Sequence, residues 1–128
     1  MEVPILKLGE VLIATVPSAL TDHALLQLRD SLVDQVGTLR AKGVIVDVTS
    51  LDVLDSFATR TLRDIAQIIK LRGAETVVVG IQPDVAFAMV RLGLKFEGVA
   101  TALDLEEGFA FLNQRTAGGG RHATSRGV

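Results

Sequence analysis

The sequence predicts a single α/β domain: a mixed, mostly parallel sheet that opens with a β-hairpin and carries about four helices. Two patterns carry this expectation. Short apolar, β-branched runs alternate with amphipathic helical periods along most of the chain, the order that right-handed crossovers onto a parallel sheet require. The run Val44-Ile-Val-Asp-Val48 is almost unbroken in β-branched character, which suits a strand covered on both faces. At 128 residues, 48% of them hydrophobic and 22% charged, with no internal repeat, the chain is sized for one core.

Taken in order, Pro4 to Val16 reads as two short strands meeting at Gly9-Glu10, a two-residue hairpin in which glycine supplies the positive φ. Pro17-Ser18 ends the second strand. Thr21-Asp22 offers helix caps, and Leu25, Leu28, Leu32, Val36 and Leu39 follow at spacings of three and four. After Gly43 comes the strand at Val44, then an acidic turn from Leu51 to Asp55. A helix from Ser56 to Leu71 buries Ala58, Leu62, Ile65 and Ile69 and turns Arg60, Arg63, Asp64, Gln67 and Lys70 outward. Glu75 to Ile81 is the next strand. Pro83 and Asp84 start a helix that carries Val85, Met89, Val90 and Leu92 and ends at Gly93. Phe96 to Ala100 suits a last short strand, and Asp104 to Asn113 a last helix with Leu105, Phe109 and Leu112 facing the core. Residues 3–113 thus form the domain, and residues 114–128, rich in Gly, Arg and Ser, read as a flexible tail.

Composition removes several function classes. With no cysteine there are no disulfides, thiolate nucleophiles or thiolate metal sites. A formal charge of -2 and only five Phe as aromatics leave no footprint for nucleic acid. No apolar stretch approaches the roughly 20 residues that span a bilayer, and Met-Glu-Val-Pro lacks the regions of a secretory signal, so a cytoplasmic protein is expected.

Candidate chemistry concentrates at Ser56, a serine at a strand-to-helix turn. It lacks the Gly-x-Ser-x-Gly surroundings of a nucleophile elbow, and the only bases on offer are His23 and His122. Asp47, Asp52 and Asp55 miss the spacing of a calcium loop. The glycines form no phosphate-binding loop that enters a helix. No catalytic residue, metal or cofactor is therefore expected. From the residues alone, Ser56 reads as the N-cap of its helix.

The run Val44-Ile-Val-Asp-Val-Thr-Ser-Leu-Asp-Val-Leu-Asp-Ser-Phe57 resembles the signature of STAS domains, the fold of anti-sigma factor antagonists. Pro4 to Leu8, Gly80-Ile-Gln-Pro-Asp-Val-Ala86 and Thr101 to Gly108 are similar to RsbS-type antagonists of the bacterial stressosome. The resemblance covers roughly residues 3–113 and leaves out the tail; Ser18 to Asp22 also departs from the family pattern. It implies a non-enzymatic scaffold that co-assembles with RsbR-type paralogues, forms homodimers and sequesters an RsbT-type serine kinase. It further implies that Ser56, after Asp55, is phosphorylated to release the kinase and reset by a metal-dependent serine phosphatase. Asp52, Asp55, Thr59 and Arg60 are then the expected partner-facing residues around the switch. Two other readings remain: a simpler antagonist bound directly to an anti-sigma kinase and controlled at the same serine, and a small-ligand sensor.

Overall fold

The computed structural model describes residues 3–121. The elements run β1 (Ile5–Leu8), β2 (Val11–Thr15), α1 (Asp22–Thr38), β3 (Gly43–Asp47), α2 (Ser56–Leu71), β4 (Glu75–Val79), α3 (Pro83–Arg91), β5 (Ala100–Ala102) and α4 (Leu105–Arg121). The five strands lie in the order β1-β2-β3-β4-β5. β1 pairs antiparallel with β2 through the hairpin, with Leu8 opposite Val11, and every later neighbour is parallel. Each crossover therefore joins adjacent strands, and crossovers of one hand place α1, α2 and α3 on the same side of the sheet.

Strand periodicity divides the core in two. Leu12, Ala14, Val44, Val46 and Val78 point to the first face and pack with Leu25, Leu28 and Leu32 of α1, Leu62, Ile65 and Ile69 of α2, and Val85 and Met89 of α3. Each fully buried Leu or Ile of that set contributes roughly 1.5–3 kcal/mol of transfer free energy. The alternate residues Val11, Ile13, Ile45, Val77 and Val79 meet Leu112 of α4 on the second face. α4 covers β3, β4 and β5. Gly108 makes this close approach possible, since a Cβ there would lie 2.8 Å from Cγ1 of Val79 and 3.5 Å from Cδ1 of Ile45. Leu6 and Leu8, which pair with Ile13 and Val11 on that same face, stay exposed on the edge strand.

The hairpin, the antiparallel edge strand and the bounds of α2 agree with the sequence reading, and Thr21 caps α1 by accepting the Ala24 N–H. Three expectations are corrected. The last strand begins at Ala100, because residues 96–99 are occupied by a turn in which the Val99 N–H donates to the Phe96 carbonyl at 3.1 Å. Leu105, expected to face the core, is exposed at the start of α4; on α3 the buried residues are Val85 and Met89, with Val90 and Leu92 78% and 70% exposed. Finally, α4 does not stop at Asn113. It continues to Arg121, so residues 114–121 of the expected tail are helical, with the Arg115 guanidinium 5.3 Å from the Phe111 ring centre. Residues 122–128 lie outside the described residues, as does His122. Among the described residues no helix is long and apolar enough to cross a membrane.

Candidate functional site

Parallel strands send their outgoing loops to one rim of the sheet, the usual place for sites in α/β folds. On this rim the residues between β3 and α2 form a short, well-anchored loop. Val48 donates its N–H to the Val79 carbonyl at 3.0 Å, and the Leu51 N–H closes a turn onto the Val48 carbonyl at 3.0 Å. Leu51 and Leu54 are buried in the first core and act as two plugs, three residues apart. Between them Asp52 and Val53 face solvent, Val53 to 72%. The spacing of the two leucines in an otherwise polar turn is the one sequence signal for this anchoring.

Asp55 ends the loop in an extended conformation, φ -80° and ψ -178°, and its Oδ1 accepts the Ala58 N–H at 2.8 Å. Asp55 is thus the N-cap of α2, and Ser56 is the first helical residue. This corrects the expectation that Ser56 caps. Aspartate caps at least as well as serine, and from one position earlier its carboxylate reaches the third amide of the helix. The Ser56 side chain, freed from that duty, is exposed. The N–H groups of Ser56 and Phe57 have no acceptor within the helix, as for any first turn, and they point toward the same end as the positive pole of the helix dipole.

The neighbouring residues divide between surface and support. Arg60 is exposed one turn further along. Thr59 is not on the surface. It is 1% exposed, its hydroxyl donates to the Asp55 carbonyl at 2.8 Å and its N–H donates to the same oxygen at 2.9 Å. Thr59 therefore braces the cap from beneath, which a helical spacing from Ser56 alone did not reveal. Beside the cap, the Ser18 to Asp22 segment and this loop enclose a groove of about 360 Å³ with Leu25, Leu51 and Ala58 at its base and Asp22, Asp52 and Asp55 among its walls. The wall residues carry three carboxylates and no cation, so the groove beside the serine is acidic, while Arg60 is the exposed cation one turn along α2 from Ser56.

The other candidates are otherwise engaged. Oδ1 of Asp47 accepts both the Thr49 N–H at 3.0 Å and the Thr49 hydroxyl at 2.6 Å, so Asp47 is engaged in folding the chain out of β3. His23 is an exposed residue of the first turn of α1. Among the described residues no three His, Asp or Glu gather as a metal site.

Comparison with known proteins agrees with this architecture. The family model for the STAS domain matches residues 2–108. The structure of a serine-to-glutamate variant of RsbS from Moorella thermoacetica superposes with a TM-score of 0.77 at 33% identity, over 90% of this chain and 97% of that one. A chain from a structure of the stressosome, described there as a signal integration and transduction hub, superposes with a TM-score of 0.74 at 34% identity, over 88% of this chain and 98% of its own. In sequence, the RsbT co-antagonist protein RsbRD of Bacillus subtilis (strain 168) is 27% identical over 88 residues, which are 69% of this chain and 32% of that protein. The chain spans about a third of the length of the RsbT co-antagonist relatives it matches.

Proposed function

This chain belongs to the STAS domain family, and we propose that it is a non-enzymatic regulatory scaffold of a bacterial stress response, of the RsbS type. In this reading it co-assembles with RsbR-type paralogues, holds an RsbT-type serine kinase, and releases that kinase when Ser56 is phosphorylated. A metal-dependent serine phosphatase then restores the binding state. Likeness to RsbS and to a stressosome chain over nearly the whole length of each supports the class of function.

The single observation that carries the switch is the setting of Ser56. It is an exposed hydroxyl at the first position of α2, preceded by a carboxylate that already serves as the cap. A phosphate adds about -1.5 to -2 charges. At a helix N-terminus the dipole and the free amides stabilise such charge by roughly 0.3–1 kcal/mol. The Asp55 cap does not use the Ser56 hydroxyl, so modification leaves the helix start in place. The docked partner bears the cost. Asp52 and Asp55 make the surface acidic before modification, and a partner fitted to it meets added like charge, which costs several kcal/mol across an interface. Every 1.4 kcal/mol or so is tenfold in affinity, so this suffices for release.

The test is direct. Wild type and Ser56→Ala bind an RsbT-type kinase, and Ser56→Asp binds it at least about tenfold more weakly; equal affinity for Ser56→Asp refutes the switch. After incubation with kinase and ATP, mass spectrometry finds phosphate on Ser56; phosphate on Thr49, Ser50 or Thr59 instead refutes the site. Size-exclusion chromatography with an RsbR-type partner yields a very large particle, whereas a small complex with an anti-sigma kinase favours the simpler antagonist.

A further inference from the structure

The run Gly80-Ile-Gln-Pro83 follows β4, far from Ser56 in sequence, yet it grips the loop that leads to that serine. Thr49 is the point of contact. Its N–H and hydroxyl are both given to Oδ1 of Asp47, at 3.0 Å and 2.6 Å, an arrangement in which a short polar side chain folds the chain out of β3. Its carbonyl accepts Nε2–H of Gln82 at 2.6 Å. Gly80 backs this contact with φ +83°, and a Cβ at that position would collide with the Thr49 side chain. Only glycine allows both the backbone twist and the approach. Gln82 is itself the N-cap residue of α3 but makes no side-chain cap bond there. Its amide serves the neighbouring loop instead.

We propose that Gln82 is a positioning residue for modification at Ser56. With Asp47 and Gly80 it latches Thr49, and the latched end, together with the Leu51 and Leu54 plugs, holds the Thr49 to Asp55 loop in the one shape a kinase reads. The functional half of this inference rests on the phosphoswitch reading above; the latch does not. Because the latch joins the start of α3 to the loop before α2, it also makes the conformation at Ser56 depend on an element outside the serine's own helix.

Gln82→Met keeps the length of the side chain and removes its donor. The Thr49 and Leu51 amides, both hydrogen-bonded within the loop, are followed by NMR hydrogen exchange, with Ile45 and Val46 of β3 as internal controls. Exchange at Thr49 and Leu51 rises about fivefold in the variant, the size set by one neutral hydrogen bond, while the controls hold. Unchanged exchange overturns the latch. In a second measurement, an RsbT-type kinase and ATP are supplied to wild type and variant. KM for the variant rises about fivefold while kcat is kept, because what is lost is preorganisation of the docked segment. Gln82→Lys, which returns a donor of similar reach, recovers most of the loss. Equal KM values for wild type and Gln82→Met overturn the positioning role even when exchange rises. A wild-type chain that takes no phosphate at Ser56 sinks the switch reading and the positioning role with it, and the exchange result then still decides the latch.

Discussion

Thr76 offers a clean measurement of what an unpartnered hydroxyl costs this fold. It lies on β4 opposite Val44 of β3, in the layer that faces α1 and α2, and it is 6% exposed. Its Oγ1 is buried and has no hydrogen-bond partner among the described residues. Burial of a hydroxyl without a bond costs roughly 1–3 kcal/mol on mutational scales. Thr76→Val removes that cost, places a methyl group against neighbours that include Val44 and Val78 on the same face, and keeps the β-branched shape that strands favour. We expect the variant to be more stable by about 1 kcal/mol, equivalent to a rise of about 3–5 °C in Tm for a domain of this size. Urea denaturation followed by far-UV circular dichroism, at two protein concentrations so that any self-association is seen, gives the midpoint and slope. The slope is expected to stay constant while the midpoint rises. Thr76→Ser serves as the control: it keeps the hydroxyl, loses a buried methyl and is destabilised by about 1 kcal/mol. A midpoint for Thr76→Val that is unchanged or lower refutes the reasoning, because it means the hydroxyl is satisfied in solution.

The cap assignment is tested by the pair Asp55→Ala and Ser56→Ala. The first loses the bond to the Ala58 N–H and about 1 kcal/mol of stability, and the second stays within about 0.5 kcal/mol of wild type, both by chemical denaturation. The reverse ranking would restore Ser56 as the cap. Two glycine-to-alanine changes in helices are expected to have opposite signs. Gly108→Ala forces Val79 of the second core layer to move and destabilises by about 1–3 kcal/mol in thermal melts. Gly37→Ala meets only the flexible end of Arg72, which can swing aside, so the helix-propensity gain of up to about 1 kcal/mol survives.

Much of the architecture was legible because it depends on local pattern. β-Branched runs and spacings of three and four place α2 at its observed bounds and identify β3 as covered on both faces. Other features were out of reach of that pattern. A helical period tells which residues share a face, but not whether another element lies opposite, so Leu105 was expected inside and is exposed at the first position of α4. The Gly-rich composition after Asn113 argued against helix on propensity, and α4 nevertheless continues through it to Arg121. At the site, Ser56 was identifiable as the residue at the strand-to-helix turn. Whether it or Asp55 caps turns on one residue of backbone conformation, which sequence resolves poorly.

The sequence by itself determined the α/β class, the hairpin edge, the place of the loop before α2 and the candidacy of Ser56, since each follows from periodicity, turn chemistry or motif. Tertiary structure alone decided which carboxylate caps α2, that Thr59 is a hidden brace, and that Gln82 reaches back to the Thr49 carbonyl at 2.6 Å. The first two are contacts three and four residues apart, settled by the backbone conformation and burial at one helix start; the third depends on groups from separate segments meeting in space. Parallel strands bring their carboxyl ends side by side however far apart they lie along the chain, and no local pattern records that meeting.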